Sequence, residues 1–432
     1  YEPEDELLVS HDHVVHALLH APRLSAGGPS GYVYEHLRDL FPPEDPLSGF
    51  PVFLSFCQCI ASGRLPSAVS TLLGASRLLA LAKPTSGVRP IAIGEVFLRL
   101  VSRSISSQLR SIFSDHLSPH QFAVGVPGGC ETVIAGVRAT LDLHPDWVVI
   151  QVDVTNAFNT ISRAALFRTL RAASPELQSL IPFARCFYGI ESPLLYSHQV
   201  SSGEYSLLHS VEGTRQGDPL GGPLFALAHF TALRAAADAH PSCLFPSLSD
   251  DTHIIGPPDQ VLPALSTLSS ALIALGLIVQ PLKSVVWSPS GLPPTFELPT
   301  GFLCPSGGIR VLGSPVGSQP FCTSFISDSL QLALASTPML PKLGDSQAAF
   351  GILLRCLLPR ASYLARTFPP LDFFLTHLQA FDSSIQSSFA SLLGPGLSLG
   401  PGGVPAQLTL PISRGGFGLV SAAAFAPIGF LG

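Results

Sequence analysis

The sequence of this 432-residue chain predicts an α+β fold, and three observations favour it. The run WVVIQVDV at 147–154 is short, apolar and rich in β-branched residues, which is typical of a buried strand. The run SLSDDTHIIG at 247–256 has the pattern strand, tight turn, strand and predicts a hairpin. The run QAAFGILLRCLLPRASYLARTF has helical spacing of its apolar residues, with a kink expected at Pro359.

Composition excludes several classes of protein. With 46% hydrophobic and 12% charged residues, the chain can bury a large core and does not resemble a disordered protein. Its length leaves room for about three domains. The net charge of -6 argues against a protein whose whole surface binds nucleic acid, but it allows a locally basic cleft. The eight cysteines form no CxxC pair, so neither a zinc framework nor a disulfide scaffold is indicated.

The N-terminal part predicts helices separated by a loop. Residues 1–24 begin with acidic side chains at a solvated helix start and continue into an apolar-periodic stretch that ends near His20. The run SAGGPSG at 25–31 contains glycine and proline and predicts a loop. A second helix is expected over YVYEHLRDLF, before the prolines at 42, 43 and 46 break the chain.

A basic stretch at 77–110 stands out in this acidic chain. It carries a local charge of +5, from six basic residues against Glu95 alone: Arg77, Lys83, Arg89, Arg99, Arg103 and Arg110. Such a stretch can neutralise nucleic-acid phosphates. Lysine occurs at only three positions in the whole chain, Lys83, Lys283 and Lys342. The ammonium group of a retained lysine can serve a role that a guanidinium cannot.

The middle of the chain predicts alternating strands and helices. The strand at 147–154 is followed by a helix over ISRAALFRTLRAA, and a glycine-rich turn at 213–222 precedes a helix at 223–237. The stretch 261–282 has no charged residue and reaches the length of a membrane span. Prolines and polar residues interrupt it, so it predicts a buried helix running into a strand at 277–279. No membrane partner is therefore expected.

Three carboxylates fall where two neighbouring strands would bring them together: Asp153 at the end of the first strand, and Asp250 and Asp251 at the hairpin tip. Crowded carboxylates repel one another, and a divalent cation with oxygen ligands relieves that repulsion. Two Mg²⁺ ions, with Mn²⁺ as a substitute, would allow in-line phosphoryl transfer from a nucleotide triphosphate. Because surface turns often contain an Asp-Asp pair, this pair alone is also compatible with an ordinary turn.

Three segments, in this order, resemble the palm of reverse transcriptases, especially those of non-LTR (LINE-type) retrotransposons: DVTNAFNT from Asp153, GTRQGDPLGGPLF from Gly213 and SDDTHIIG from Ser249. Other segments match the same group in order along nearly the whole chain: SAGGPSG (25–31), KPTSGVRPIA (83–92), QFAVGVPGG (121–129), GLIVQPLKS (276–284), VLGSPVG (311–317), LLRCLLPRASYLARTFPP (353–370) and LPISRGGFGL (410–419). Several motifs in the right order are more specific than any one of them.

The resemblance implies a right-hand polymerase fold with fingers, a palm built on an antiparallel sheet, and a helical thumb. The implied division is 1–120 for an N-terminal extension and fingers, 121–318 for the palm with inserted fingers elements, and 319–432 for the thumb and C-terminal segment. The implied enzyme is an RNA-directed DNA polymerase, a nucleotidyltransferase that uses Mg²⁺ to add dNTPs to a DNA primer on an RNA template.

The resemblance also implies a role for each matching residue. Asp153 and Asp250 would bind both metal ions, with Asp251 as a weaker third carboxylate. Phe158 would lie under the sugar of the incoming nucleotide and exclude a 2′-hydroxyl. The expected nucleotide contacts are Gln216 at the sugar and base, and Lys83, Arg89 and Lys283 at the triphosphate. The arginines expected to bind nucleic acid in the thumb are Arg355, Arg360 and Arg366.

Two departures from the family pattern leave alternatives open. The family usually has an aromatic residue two places before the first hairpin aspartate, often followed by alanine, and here Leu248 and Ser249 stand there. A decayed retroelement remnant that binds nucleic acid without polymerising is therefore a second hypothesis. An RNA-dependent RNA polymerase is a third, which Phe158 disfavours. No signal peptide or targeting run is visible, and a nuclear or cytoplasmic location is expected by family analogy. The oligomeric state stays open.

Overall fold

A computed structural model describes residues 2–3, 5–45, 48–82, 87–198, 204–394 and 404–431, and the account below concerns these residues. Lys83 lies outside them. The chain forms two compact units. The first comprises Tyr1–Val133, Val149–Val286 and Pro293–Leu303, and the second comprises Ile134–Val148, Trp287–Leu292 and Cys304–Gly432.

The described helices, in chain order, are α1 (His11–Leu19), α2 (Tyr34–Leu40), α3 (Phe50–Ala61), α4 (Ser67–Gly74), α5 (Val96–Gln108), α6 (Arg110–Leu117), α7 (Gly129–Leu143), α8 (Ala157–Thr160), α9 (Arg163–Ala172), α10 (Pro175–Gln178), α11 (Ile181–Tyr188), α12 (Gly221–Ala239), α13 (Pro258–Ala274), α14 (Gln319–Leu334), α15 (Ser346–Ile352), α16 (Ser362–Thr367), α17 (Asp372–Leu393), α18 (Val404–Thr409) and α19 (Ala422–Leu431). Short 3-10 turns occur at Pro281–Lys283, Thr337–Leu343, Leu358–Ala361 and Ile412–Arg414.

The described strands are β1 (Ser76–Ala82), β2 (Val88–Gly94), β3 (Val148–Val152), β4 (Ser192–Ser197), β5 (Tyr205–Ser210), β6 (Ser247–Leu248), β7 (Asp251–Gly256), β8 (Val285–Trp287), β9 (Gly308–Val311) and β10 (Ser314–Gly317). One four-stranded sheet has the order β2-β1-β4-β5, with β1 parallel to β4 and the outer pairs antiparallel. A second has the order β6-β7-β3-β8, and β9 and β10 form a separate antiparallel pair.

The sheet β6-β7-β3-β8 places the predicted strand and hairpin side by side. Val148, Val149 and Ile150 of β3 are fully buried, as the β-branched run predicts. Helix α12 is buried over most of its length and packs against α9 and α13. Because α12 follows the glycine-rich turn directly, this packing anchors the C-terminal end of the turn.

Two local expectations need correction. The acidic N-terminal residues do not start a helix, because α1 begins at His11 with the Ser10 side chain as its cap. Instead Glu2 pairs with Arg185 at 2.8 Å and Glu6 with Arg64 at 2.9 Å. The expected strand at 277–279 is reduced to a single antiparallel bridge between Val154 and Val279.

The second unit has its own hydrophobic core. It is built from α14, α16, α17 and α19 with the helical turns between them, and includes Ile326, Leu353, Ala365, Phe374 and Phe381, all buried. Arg138, on α7, donates hydrogen bonds of 2.9 Å to the carbonyl oxygens of both Pro315 and Thr367. Burial lowers the pKa of its guanidinium.

The helical run Ser346–Thr367 is interrupted as the sequence predicts. A π-helical turn spans Leu353–Leu357, and a 3-10 turn at Leu358–Ala361 contains Pro359, which cannot donate a backbone hydrogen bond. Among the described residues this run is long and apolar enough to cross a membrane by length and composition, with 33% of its most apolar window buried. The core helix of a soluble protein meets the same criteria, so a single run of this kind is weak evidence for a membrane span.

Asp382 on α17 provides a specific anchor for helix α19. Its carboxylate accepts hydrogen bonds from the Ser421 hydroxyl at 2.6 Å and from the backbone N–H groups of Ala422 and Ala423 at 2.8 and 3.2 Å. We expect Asp382→Ala to lower the free energy of unfolding by about 2 kcal/mol, because buried N–H groups would lose a charged acceptor. Urea denaturation should show this loss, and Asp382→Asn, which keeps one acceptor oxygen, should lose less. An equal loss for both variants would contradict the anchoring role.

Candidate active site

Asp153 directly follows β3, and its backbone is held by the segment after α13. The Gln280 N–H donates to the Asp153 carbonyl at 2.8 Å, and the Asp153 N–H donates to the Ser284 hydroxyl at 3.1 Å. Ser284 is fully buried and donates in turn to the Gln280 carbonyl at 3.0 Å. These contacts fix the backbone of Asp153 at the end of β3, from which its carboxylate projects.

Asp250 lies at the turn of the hairpin formed by β6 and β7, as predicted. Leu248 pairs with Asp251 across the hairpin, so the departure from the family pattern at Leu248 does not prevent the hairpin from forming. Asp250 is half-buried, while Asp251 is exposed as the first residue of β7. Burial raises the pKa of the Asp250 carboxyl, the Asp153 charge adds to that effect, and the Arg89 guanidinium opposes it.

The Asp153–Asp250 pair has the chemistry that suits a hard divalent cation. The Asp153 charge helps to raise the pKa of Asp250, and a cation between the two carboxylates would relieve that repulsion. Mg²⁺ suits such a place because it prefers oxygen ligands. Within the described residues, no group of three or more His, Cys, Asp or Glu side chains is placed to hold a metal ion. The pair fits a Mg²⁺ ion nonetheless, because such ions commonly use one or two carboxylates and take their other ligands from substrate phosphates and water.

Phe158 lies on the short helix α8, which contacts the loop that carries Gln216. The Thr214 N–H donates to the Phe158 carbonyl at 2.6 Å, and a Cβ on Gly213, whose φ is +71°, would approach the same carbonyl oxygen to 2.5 Å. The Phe158 ring stacks on that of Phe225, with centroids 4.5 Å apart. The Gln216 carbonyl accepts from the Ala92 N–H on β2 at 3.1 Å. The Gln216 loop therefore contacts strand β2 on one side and helix α8 on the other.

Arg215, which the sequence prediction missed, anchors the Gln216 loop to the residues packed beneath it: Gly74, Phe187 and Ser192. Its buried guanidinium donates to the carbonyl oxygens of Gly74 and Phe187 and to the Ser192 hydroxyl. It also lies 5.0 Å from the ring centre of Tyr188, a cation–π contact. The Tyr188 hydroxyl donates to the Asp218 carboxylate at 2.5 Å, on the far side of the same loop. Arg215 lies within the GTRQGDPL motif, but no pattern in the sequence indicates that its side chain is buried.

Among the described residues, Arg89 and Lys283 are basic groups near the carboxylates. Arg89 is exposed on β2 and is close enough to lower the pKa of Asp250. The Lys283 ammonium nitrogen lies 3.9 Å from the Asp153 carboxylate. Other arginines of the basic stretch are tied to the loop before α2: Arg77, Arg99 and Arg103 donate to the carbonyl oxygens of Gly27, Ala26 and His20. These three bind the protein's own backbone through at least one donor each.

The predicted thumb arginines all belong to the second unit. Arg355, Arg360 and Arg366 have exposed side chains along the run Ser346–Thr367. Arg360 donates to the Ala333 carbonyl, the last turn of α14, at 3.2 Å. The structure thus gives Arg360 a structural contact beside its predicted role.

A comparison with protein families identifies the chain. A family model described as Reverse transcriptase (RNA-dependent DNA polymerase) matches residues 81–316, more than half of the sequence. The chain belongs to the reverse transcriptase family. The matched span includes every residue that the sequence predicts for catalysis and nucleotide binding, from Lys83 to Lys283.

Curated relatives of this reverse transcriptase are retrotransposon proteins. The Retrotransposable element SLACS 132 kDa protein of Trypanosoma brucei gambiense is 26% identical over 368 residues, which cover 81% of this chain and 28% of the relative. The Retrovirus-related Pol polyprotein from type-1 retrotransposable element R2 of Bradysia coprophila is 26% identical over 180 residues, covering 40% of this chain and 20% of the relative. The chain thus spans about a quarter of the length of these relatives.

Among solved structures, a telomerase from Candida albicans in complex with the TWJ fragment of telomeric RNA is similar, with a TM-score of 0.43 and 14% identity. The similarity covers 80% of this chain and 62% of the telomerase chain. The predicted family, α+β polymerase fold class and enzyme class of this reverse transcriptase are confirmed by its family membership and its relatives. The individual residue roles and the division at residues 120 and 318 stay predictions.

Proposed function

We propose that this chain polymerises DNA on an RNA template, adding dNTPs to the 3′-hydroxyl of a DNA primer. Reverse transcriptases generally use a divalent metal ion. The observation that carries the proposal is the convergence of Asp153, Asp250 and Arg89. The Asp153 charge raises the pKa of Asp250 and the Arg89 charge lowers it, so both groups lie close to this carboxyl. The loop that carries Gln216 contacts both strand β2 and helix α8, which carries Phe158. An acidic pair beside a guanidinium suits a substrate whose triphosphate brings both negative charge and metal ligands.

Each residue has a distinct proposed task. Asp153 and Asp250, with Asp251 as a weaker third carboxylate, would hold Mg²⁺, which when bound would activate the primer hydroxyl and neutralise charge on the triphosphate in a two-metal arrangement. Arg89, together with Lys83, would bind triphosphate oxygens through charge-assisted hydrogen bonds.

Lys283 lies beside Asp153, where its ammonium group can donate a proton to the leaving pyrophosphate. Gln216 would contact the nucleotide sugar and base. In the second unit, Arg355, Arg360 and Arg366 would bind phosphates of the RNA–DNA duplex, which makes binding fall steeply with salt concentration.

The proposed preference for dNTPs rests on Phe158. Its ring is half-buried and held by stacking on Phe225, so it cannot turn away easily from a nucleotide sugar placed against it. We expect Phe158→Val to raise the rNTP/dNTP ratio of kcat/KM by roughly 10- to 100-fold, because the smaller side chain leaves room for a 2′-hydroxyl. Primer extension on an RNA template with Mg²⁺, with each nucleotide set in turn, measures this ratio.

The matched control is Phe56→Val. Phe56 is also half-buried but packs against Phe97, with centroids 5.9 Å apart, so the ratio should stay at the wild-type value. Wild-type extension with dNTPs would support the polymerase proposal. A folded wild-type protein that binds primer–template but extends no primer would overturn it in favour of the decayed remnant. Equal use of rNTPs and dNTPs by the wild type would favour an RNA polymerase instead.

A further inference from the structure

A short segment before α7 runs beside the catalytic hairpin. The Phe122 N–H donates to the Ser247 carbonyl at 2.8 Å, and the Ser247 N–H donates to the His120 carbonyl at 2.7 Å. Gln121 and Ser247 form a parallel bridge. The outer side of β6 is therefore paired with residues 120–122, which gives the short hairpin support that its own two-residue strand lacks.

The Gln121 side chain continues this pairing to the turn. Its amide nitrogen donates to the Ser249 carbonyl at 2.9 Å, and its amide oxygen accepts from the Ser249 N–H at 2.7 Å. The same oxygen also accepts from the Ala123 N–H at 3.1 Å. The Gln121 residue is 1% exposed, so water cannot replace these bonds. One side chain thus satisfies both backbone groups of the residue that precedes Asp250.

Ser249 needs such support because its backbone is strained. Its φ is +61°, while Asp250 keeps a negative φ, which is the sign pattern of a type II′ hairpin turn. The first central position of that turn favours glycine, and a residue with a Cβ pays a conformational cost there. The two hydrogen bonds between the Gln121 amide and the Ser249 backbone offset this conformational cost. They form only when Ser249 has its positive φ.

We propose that Gln121 is a positioning residue, which holds Ser249 in its left-handed conformation and thereby aims the Asp250 carboxylate toward Asp153. This inference rests on the proposed polymerase function, since it assigns Gln121 a part in that site. It assigns no contact between Gln121 and substrate or metal. Loss of the amide should therefore act on the geometry of the carboxylate pair.

The test compares Gln121→Met with Gln58→Met in the full chain. Methionine keeps the length and bulk of glutamine but makes no such hydrogen bonds. Gln58 is a close match, because its amide also accepts from one backbone N–H, that of Val9 at 2.8 Å, and donates to one carbonyl, that of Leu7 at 2.8 Å. Both variants lose a backbone-bridging amide in the first unit, but the amide of Gln121 alone contacts the hairpin.

For Gln121→Met we expect kcat for primer extension on an RNA template to fall roughly 10- to 100-fold, as for the loss of a group that orients a metal ligand. The KM for dNTPs should change less than threefold. For Gln58→Met we expect kcat and KM near the wild-type values. A loss of thermal stability of the same size in both variants, without a kcat loss specific to Gln121→Met, would overturn the proposal.

A second variant tests the mechanism. Glycine adopts positive φ without strain, so Ser249→Gly added to Gln121→Met should recover part of the lost kcat. If the double variant shows the product of the two single effects, Gln121 does not act through the conformation of Ser249, and the proposal fails. If Gln121→Met folds poorly, the double variant still gives a test, because relief of the strain at Ser249 should restore its folding.

Mn²⁺ affinity supplies a readout that needs no polymerisation. We expect electron paramagnetic resonance titration to show Mn²⁺ binding to the wild type, and roughly tenfold weaker binding to Gln121→Met but not to Gln58→Met. If the wild type extends no primer but the Mn²⁺ affinities differ in this way, the positioning role stands and the proposed function fails. Equal Mn²⁺ affinity in all three proteins would overturn the positioning role.

Discussion

Asp250→Asn is expected to lower the rate of primer extension on an RNA template by about 10³-fold while leaving the protein at least as stable as the wild type. The loss of rate follows from the proposed role, because a neutral amide cannot hold a divalent cation as a carboxylate does. The effect on stability follows from the site itself. Burial and the Asp153 charge raise the pKa of Asp250, so the charge on this carboxyl costs more free energy in the folded protein than in the unfolded chain.

The sign of this stability effect can be worked out from that shift. The pKa of Asp250 is higher in the folded protein than in the unfolded chain, so the unfolded chain loses this proton first as the pH rises. The free energy of unfolding therefore falls as the pH rises through the folded pKa, and it stays lower above that pKa. Asparagine removes that cost at neutral pH. Thermal unfolding without divalent metal should therefore show an unchanged or higher midpoint for Asp250→Asn, while the stabilisation that added Mn²⁺ gives the wild type should be lost.

Asp259→Asn provides the matched control for Asp250→Asn. Asp259 is an exposed aspartate in the first turn of α13, so the same chemical change should leave extension at the wild-type rate. Extension at the wild-type rate by Asp250→Asn would contradict the assignment of the carboxylate pair. A marked loss of stability in that variant would contradict the inference that the Asp250 charge is disfavoured by the fold.

Arg215→Met should have the largest effect on stability, a loss of about 3 kcal/mol in the free energy of unfolding. The guanidinium is buried and donates to three acceptors, the carbonyl oxygens of Gly74 and Phe187 and the Ser192 hydroxyl. Methionine fills similar space but leaves all three without this donor. Each lost hydrogen bond costs about 1 kcal/mol when the acceptor stays buried.

The Arg215 substitution should also affect the dNTP site, because the next residue is Gln216. We expect KM for dNTPs to rise as the loop loses its support. Arg215→Lys should recover little, since an ammonium group cannot reproduce the planar arrangement of guanidinium donors. Urea denaturation and steady-state extension measure both effects.

Arg77→Met is the control for Arg215→Met. Arg77 is exposed, and its guanidinium donates to the Gly27 carbonyl at 3.3 Å, so its removal should change the free energy of unfolding by less than about 1 kcal/mol. If Arg215→Met is no less stable than Arg77→Met, the buried contacts of Arg215 do not support the loop.

Local patterns in the sequence were enough to locate the main elements. The β-branched run around Val149 is buried on both sides of a sheet, and the hairpin at Asp250 forms with the predicted turn. Such elements depend on side-chain periodicity and turn chemistry, which are local properties. The acidic N-terminus shows the limit of this reasoning: Glu2 and Glu6 pair with arginines far along the chain, and no local pattern indicates those partners.

The sequence by itself determined the family, the fold class and the order of the motifs, because those are written in residue types and spacing. Only the tertiary structure showed that Gln121 bonds to both backbone groups of Ser249, that Ser284 holds Asp153, and that Arg215 is buried under the Gln216 loop. These contacts join residues up to 141 positions apart, and their strength depends on the exclusion of water. Burial is a property of the packed molecule, so the residues that shape this site became visible only once the chain was folded.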